Sequence, residues 1–403
     1  MISPTIIINA TVIGPVGNVT IEGDVIAEVA ANSTSNTTHI IDAKGATLAP
    51  GIVDLGVFSV DKAACIAGGI TRIAVMPDLV PVLDDPGLVQ RSALAAKPDL
   101  WVHPLAAATR GLSGRELGEY ALMRKAGAKA VATGRHWIAD SGVMLKALAY
   151  AGSLDMVMIS HAEDSGITAG AVATAGETAS RLGLSSAPAS AEAMAIARDI
   201  ALVRATGAAL HFRQVTTGAG LTLIRTAKNE GLPVTCGITP LHLFLSDIAV
   251  NDFRTFARLS PPLRSEADRL SAIEGVRDGT IDVLCSAHDP RGPEVKRLPF
   301  ADAEPGAAGA ETLLALGLGL VRDDVIGMAR LFEMLSANPS RILGVDSGVI
   351  APGAPADLIL FDPDQPWIID GAKFKASAGN TPFDRLPTQG RVLHTMKGGR
   401  LLS

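Results

Sequence analysis

Ile52-Val-Asp-Leu-Gly-Val-Phe58 is a short run, apolar apart from Asp54 and Gly56, that opens directly behind Pro50-Gly51. Its length suits a strand buried on both faces; a helix would need about 10 to 12 residues. Similar runs recur at Ile70–Met76, Trp101–Ala107, Lys129–Ala132, Met156–Ser160, Ala208–Val215, Pro233–Thr239 and Ile281–Ser286, eight in all. Helical candidates lie between them, among them Gly142–Tyr150, Ala189–Thr206, Ala219–Asn229 and Arg264–Asp278. Continuously apolar strands alternating with helices imply a parallel sheet covered on both faces. The α/β class follows, and eight strands suit a closed (β/α)8 TIM-type barrel, although periodicity alone does not exclude a doubly wound sheet.

Outward from this repeat the texture becomes β-rich at both ends. Thr5–Ile13, Asn18–Glu22 and Asp24–Val29 read as short strands around Gly/Pro turns, followed by the polar stretch Asn32–Thr38. Near the other end lie Ala356–Phe361, Gly390–Met396 and Gly398–Leu402. The two ends are expected to pair into one β-sandwich, residues 1–49 with 346–403, beside a barrel of residues 50–345. A chain of 403 residues accommodates one large and one small domain.

The formal charge of −6, with no run of Lys and Arg, argues against a nucleic-acid partner. Mean hydropathy is positive at +0.31, yet no membrane span is expected. Pro4, Gly14, Pro15 and Gly17 break up the uncharged start, and Thr312–Val321 has half the required ~20 residues. The basic start of a signal peptide is missing. Cys65, Cys236 and Cys285 are too few and scattered for a disulfide framework, so buried thiols in a reducing cytoplasm are expected. The Asn-x-Ser/Thr matches at Asn9, Asn18, Asn32 and Asn36 carry no meaning without secretion.

In a barrel of this kind chemistry sits where the strands end. Those ends read Asp54-Leu-Gly-Val-Phe-Ser59, Ala132-Thr-Gly-Arg135, Ile159-Ser-His-Ala-Glu-Asp164, Arg213-Gln-Val-Thr-Thr217, Ile238-Thr-Pro-Leu-His242 and Cys285-Ser-Ala-His-Asp-Pro-Arg291. With Ala49-Pro-Gly-Ile-Val-Asp-Leu55, Ala74-Val-Met-Pro77, Asp140-Ser-Gly-Val-Met-Leu145, Ser260-Pro-Pro-Leu-Arg-Ser-Glu266, Asp278-Gly-Thr-Ile-Asp-Val283 and Asn380-Thr-Pro-Phe383, they resemble the dihydroorotase family of the amidohydrolase superfamily along essentially the whole chain. The resemblance implies a metal-dependent barrel with a flanking β-sandwich. It also implies the family reaction, reversible cyclisation of N-carbamoyl-L-aspartate to L-dihydroorotate in pyrimidine biosynthesis.

The departures from that pattern bear on function. The resemblance implies metal ligands at Gly56, Phe58, Thr133, His161, Gln214 and Ala287, and of these only His161 retains the family's residue type. Ala287 also stands where the proton-transferring Asp is expected, and Asp78 replaces a substrate-binding Asn. The segment that would carry the substrate-carboxylate Arg is shortened to Ser59-Val-Asp-Lys62. Zinc needs nitrogen, oxygen or sulfur donors at about 2.0–2.3 Å, and one imidazole does not hold a divalent ion. A positioned acid/base contributes roughly 10²–10⁴-fold, and Ala287 cannot carry a proton. Asp289 lies two residues further along, ~6–7 Å away on an extended chain.

Plainer readings stand beside the functional ones. His161 can persist for a hydrogen bond inside the barrel, and His211, His242 and His288 read as satisfied core or rim histidines. Lys129 and Thr133 share a strand face, so a carboxylated Lys129 is a conceivable metal bridge. Arg213 and Arg291 fit either an anion at the mouth or surface salt bridges. Gly218-Ala-Gly220 reads as a helix start and not as a phosphate loop. Ser160, His161 and Asp164 do not make a hydrolytic triad, because neighbouring strand residues face opposite ways.

The leading expectation is a pseudoenzyme without a cofactor, resembling the degenerate dihydroorotase-like proteins that associate with aspartate transcarbamoylase. Such a protein would act as a cytoplasmic homodimer and as a structural or regulatory subunit. The alternative is an active amidohydrolase that holds zinc in a rebuilt site using His161, His242 and His288 with Asp289, Glu163 or Lys129. A third reading keeps the mouth, with Asp78, His161, Gln214, His242, His288 and Arg291, as a vestigial pocket for a pyrimidine or a carboxylate.

Overall fold

A computed structural model describes residues 4–14, 17–31 and 39–402. The polar stretch Asn32–Thr38, with the matches at Asn32 and Asn36, lies outside the described residues. All eight apolar runs form parallel strands of one sheet, in chain order: Ile52–Val57, Ile70–Val75, Trp101–Ala107, Ala130–Ala132, Met158–Ser160, Leu210–Phe212, Val234–Ile238 and Val283–Leu284. Helices including Ser141–Ser153, Ser190–Thr206, Gly218–Asn229 and Glu266–Arg277 cover the outside. Val53, Leu55, Ala74, Leu105, Ala132 and Ile159 fill the interior, so the barrel is a packed core.

The first and last strands meet without a hydrogen-bonded ladder. Asp54 closes the seam instead: its buried carboxylate accepts from Ser286 N at 2.9 Å and from the Ser286 hydroxyl. Phe58 N donates to His288 O at 2.9 Å one step higher. Burial raises the Asp54 pKa, against the hydrogen bonds from Ser286.

Both chain ends build the sandwich. One sheet orders Val25–Ala30, Asn18–Glu22, Thr5–Ile8 and His39–Asp42; the other orders Arg400–Leu401, Pro387–Lys397, Leu358–Ile368, Thr47–Pro50 and Thr11–Val12. Ile7, Val19, Ile21, Leu48, Leu358 and Met396 pack between them. The expected single strand Thr5–Ile13 is in fact two, one in each sheet. Asn9 divides it at φ +57°, a left-handed conformation that Asn tolerates better than most residues, and its side chain donates to Asp42 at 3.0 Å. The three cysteines are free and buried. Among the described residues no helix is long and apolar enough to cross a membrane.

Candidate functional site

The mouth of the barrel is built around Arg213. The sixth strand, Leu210–Phe212, runs on into Arg213, whose N–H still donates to Ser160 O at 3.0 Å and which is 2% exposed. Its stem runs across Gly56, where an added Cβ would lie 3.5 Å from Arg213 Cγ and Cδ. Gly56 sits at a register slip in the first strand with φ +96°, a conformation that suits glycine and strains any other residue. Beyond it, the Phe58 ring lies 3.7 Å from Arg135 Cζ and 5.1 Å from Arg213 Cζ, measured from its centroid.

Arg213 Nη2 donates to His161 Nδ1 at 3.0 Å. A guanidinium can only donate, so Nδ1 accepts and the imidazole proton sits on Nε2, 3.4 Å from Glu163 Oε2. Burial lowers the His161 pKa and outweighs the hydrogen bond to Glu163, which leaves the ring neutral. Burial also pulls Arg213 down to about 10, so it remains a cation at neutral pH. Its Nε and Nη1 find no hydrogen-bond partner among the described residues.

Glu163 belongs to a buried charge network. Burial pushes its pKa up, but the bond from His161 and the charge of Arg264 together bring it down to about 2. Arg264 Nη2 lies 2.7 Å from Glu163 and 3.4 Å from Glu192. Glu192 accepts from the backbone N–H groups of Thr216 and Thr217 at 2.9 and 2.8 Å. Thr217 then caps the helix Gly218–Asn229 by accepting from Gly220 N at 3.1 Å. The Gly218-Ala-Gly220 turn is therefore a helix start.

The remaining expected residues scatter around this centre. Thr133 Oγ1 accepts from His161 N at 3.0 Å, and Asp78 accepts from Arg135 N at 2.9 Å. Gln214 is 3% exposed and its Oε1 finds no partner among the described residues. His242 lies on the short helix Pro240–Phe244 and bridges the Thr239 hydroxyl at 2.8 Å and Pro261 O at 3.1 Å. His211 contacts the Thr235 hydroxyl at 2.9 Å, and His288 Nδ1 accepts from Gly309 N and Ala310 N, both at 3.2 Å. Ala287 takes φ +46°. Asp289 pairs with Arg135 at 2.8 Å and Arg291 at 3.2 Å, and Arg291 also pairs with Glu304 at 2.7 Å. Ser160 faces away from the mouth and donates to Asp199 at 3.1 Å.

Two candidate roles fall to these positions. Lys129 is exposed just before its strand begins, at the end opposite the mouth, and so cannot bridge a metal there. Arg213 is buried and not the surface ion pair weighed from sequence. Arg135, Arg264 and Glu192 were missed as site residues. Arg135 ends the Ala132–Arg135 strand end and Arg264 lies within Ser260–Glu266, whereas Glu192 looks in sequence like any helical surface glutamate.

Phe58, Arg135, Arg213, Gln214 and His242 enclose a cavity of about 20 Å³, room for about one water. Among the described residues no three His, Cys, Asp or Glu side chains converge to hold a metal ion. The retained imidazole faces a guanidinium, which repels a cation. These residues do not fit the zinc centre that the resemblance implies.

A dihydro-orotase-like family model matches residues 46–219. The dihydroorotase of Syntrophus aciditrophicus is 36% identical over 392 residues, covering 94% of this chain and 92% of its own. A dihydroorotase-like protein of Pseudomonas aeruginosa is 36% identical over 405 residues, covering 96% and 95%. Among solved structures, the L-hydantoinase (dihydropyrimidinase) from Arthrobacter aurescens shares the fold, with a TM-score of 0.86 at 24% identity over 100% of this chain and 96% of that one. Given relatives at this identity along nearly its whole length, the chain belongs to the dihydroorotase-like family of the amidohydrolases.

Proposed function

We propose that this chain is a non-catalytic member of its family, a structural or regulatory subunit for aspartate transcarbamoylase in pyrimidine biosynthesis. The observation that carries the reading is the Arg213 guanidinium, drawn across Gly56 and hydrogen-bonded to His161. A fixed positive charge there disfavours a divalent cation, and hydroxide formation at neutral pH depends on such a cation. Ala287 supplies no proton carrier in its place. The partner rests on the resemblance to degenerate family members that assemble with the transcarbamoylase, and with it go a homodimer and a cytoplasmic location.

The test is size-exclusion chromatography of the purified protein with the transcarbamoylase of its own organism. Co-elution at a fixed ratio is expected, and separate elution at micromolar concentrations of both contradicts the assignment. The competing reading is an active dihydroorotase, favoured by the name of the Syntrophus relative. Cyclisation of N-carbamoyl-L-aspartate by the purified protein would decide for it.

A further inference from the structure

A groove of about 560 Å³ lies outside the barrel, where the helix Leu313–Arg322 meets the sandwich strands Leu358–Ile368 and Pro387–Lys397. It shares no wall residue with the small cavity at the mouth. Its volume is that of a small-molecule site, and such sites favour domain boundaries. Leu314, Ala315 and Val392 give it an apolar wall, and Trp367 and Phe374 add two aromatic rings.

Both rings are held in place. Trp367 Nε1 donates to Gly390 O at 3.0 Å, and Arg391 Cζ lies 5.5 Å from the centroid of the same indole. Gly390 is itself pressed onto the helix, because an added Cβ would collide with Leu318 Cδ1. Phe374 follows a turn in which Gly371 N donates to Asp384 at 2.8 Å and Ala372 N to Asp370 at 3.1 Å. Two residues later Ala376 N donates to Glu311 at 3.0 Å. A groove built this way has its walls set before a ligand arrives.

The charges of the groove are unevenly spent. Asp370 lies 3.4 Å from Lys373, and Asp370 and Asp384 both approach Arg385, which leaves Lys375 and Arg391 without an acidic partner among the described residues. Burial raises the pKa of Glu311, the other acid in the wall. Three cations in one groove, two of them unpaired, suit a phosphate better than a singly charged carboxylate. The formal charge of −6 turns away a nucleic-acid polymer, so the ligand is a free small molecule.

We infer that this groove binds a flat ring that carries a phosphate, the chemistry of a nucleoside monophosphate. The ring lies against Trp367 and Phe374, and the phosphate sits on Arg391 and Lys375. The inference goes beyond the non-catalytic reading and does not depend on it, because binding is read without turnover.

The experiment is isothermal titration with adenosine 5′-monophosphate and, separately, with uridine 5′-monophosphate, alongside adenosine and sodium phosphate as controls. Saturable binding of at least one nucleotide is expected, at least tenfold tighter than either control. The double variant Lys375→Gln with Arg391→Gln changes two exposed side chains and should stay folded, with affinity at least tenfold lower. Trp367→Leu should weaken binding as well. No saturable heat with either nucleotide up to about 5 mM, beyond a millimolar site, overturns the inference. So does unchanged affinity in the double variant, or phosphate alone binding as tightly as the nucleotides.

Discussion

Arg213 donates to Nδ1 of His161 at 3.0 Å, so the imidazole that the resemblance reads as a metal ligand is occupied as the acceptor of a cation. The other two guanidinium nitrogens of Arg213 are buried without partners among the described residues. Replacing a poorly paired buried charge by an apolar side chain of similar volume is often neutral or stabilising. Arg213→Met is therefore expected to stay folded and to shift unfolding stability by no more than about 2 kcal/mol in urea titrations. A loss of about 4 kcal/mol or more would contradict a poorly paired Arg213.

Arg264 should behave in the opposite way. It stands between Glu163 and Glu192, both buried, and removing it leaves two carboxylates without a counter-charge. Breaking such a buried pair costs about 3–5 kcal/mol, so Arg264→Met should unfold at markedly lower urea. A midpoint unchanged from the native protein contradicts the network.

The barrel seam offers a third test. Asp54→Ala deprives Ser286 N and its hydroxyl of their acceptor, and each buried donor left unsatisfied costs about 1–3 kcal/mol. Asp54→Asn keeps an acceptor oxygen and should lose less. Equal losses for the two variants would mean that the contacts to Ser286 do not hold the seam.

Most of the scaffold was legible in the sequence. The eight apolar runs between Gly, Pro and helical stretches became the eight strands because strands buried on both faces need little patterning beyond hydrophobicity. The missing donors could be read at Gly56, Phe58 and Ala287 because those side chains have no lone pair to offer. The path of Arg213 was not legible. Strand parity puts Arg213 on the face of His211, but it cannot say that the side chain then runs across Gly56 and beside the Phe58 ring. Glu192 was hidden for a similar reason, since its burial depends on a helix packed against the Thr216–Thr217 turn. Asn9 divided a seemingly continuous strand through a backbone angle that hydrophobicity does not encode.

Acid should destabilise the protein through its buried imidazoles. Burial lowers His103 and His211 to about 3 and His242 to about 4. An unfolded histidine titrates near 6.5, so below that pH the unfolded chain binds protons that the folded chain refuses. The contribution of each ring is complete above about pH 6.5 and falls by about 1.4 kcal/mol per pH unit below it, until the folded pKa is reached. Asp199 acts oppositely: burial raises it to about 6 from 3.8, so it offsets part of the loss between those values. Urea titrations at pH 7 and pH 5 should differ by a few kcal/mol in favour of pH 7. Equal stability at the two values would contradict burial of these rings in the neutral form.

The family's catalytic carboxylate should not rescue activity by itself. Ala287→Asp restores a proton carrier, but it leaves Gly56 and Phe58 without donors and Arg213 across the site. Cyclisation by this variant is expected to remain at the background of the reaction mixture. Measurable turnover would mean that metal or proton chemistry survives at the mouth through other residues.

The most direct measurement is made on the native protein: metal content by mass spectrometry after purification with added zinc, with N-carbamoyl-L-aspartate cyclisation followed on the same sample. The account predicts a folded protein with well under one zinc per chain and no turnover above background. Stoichiometric metal together with a kcat in the ordinary enzyme range, about 1 s⁻¹ or more, would contradict it.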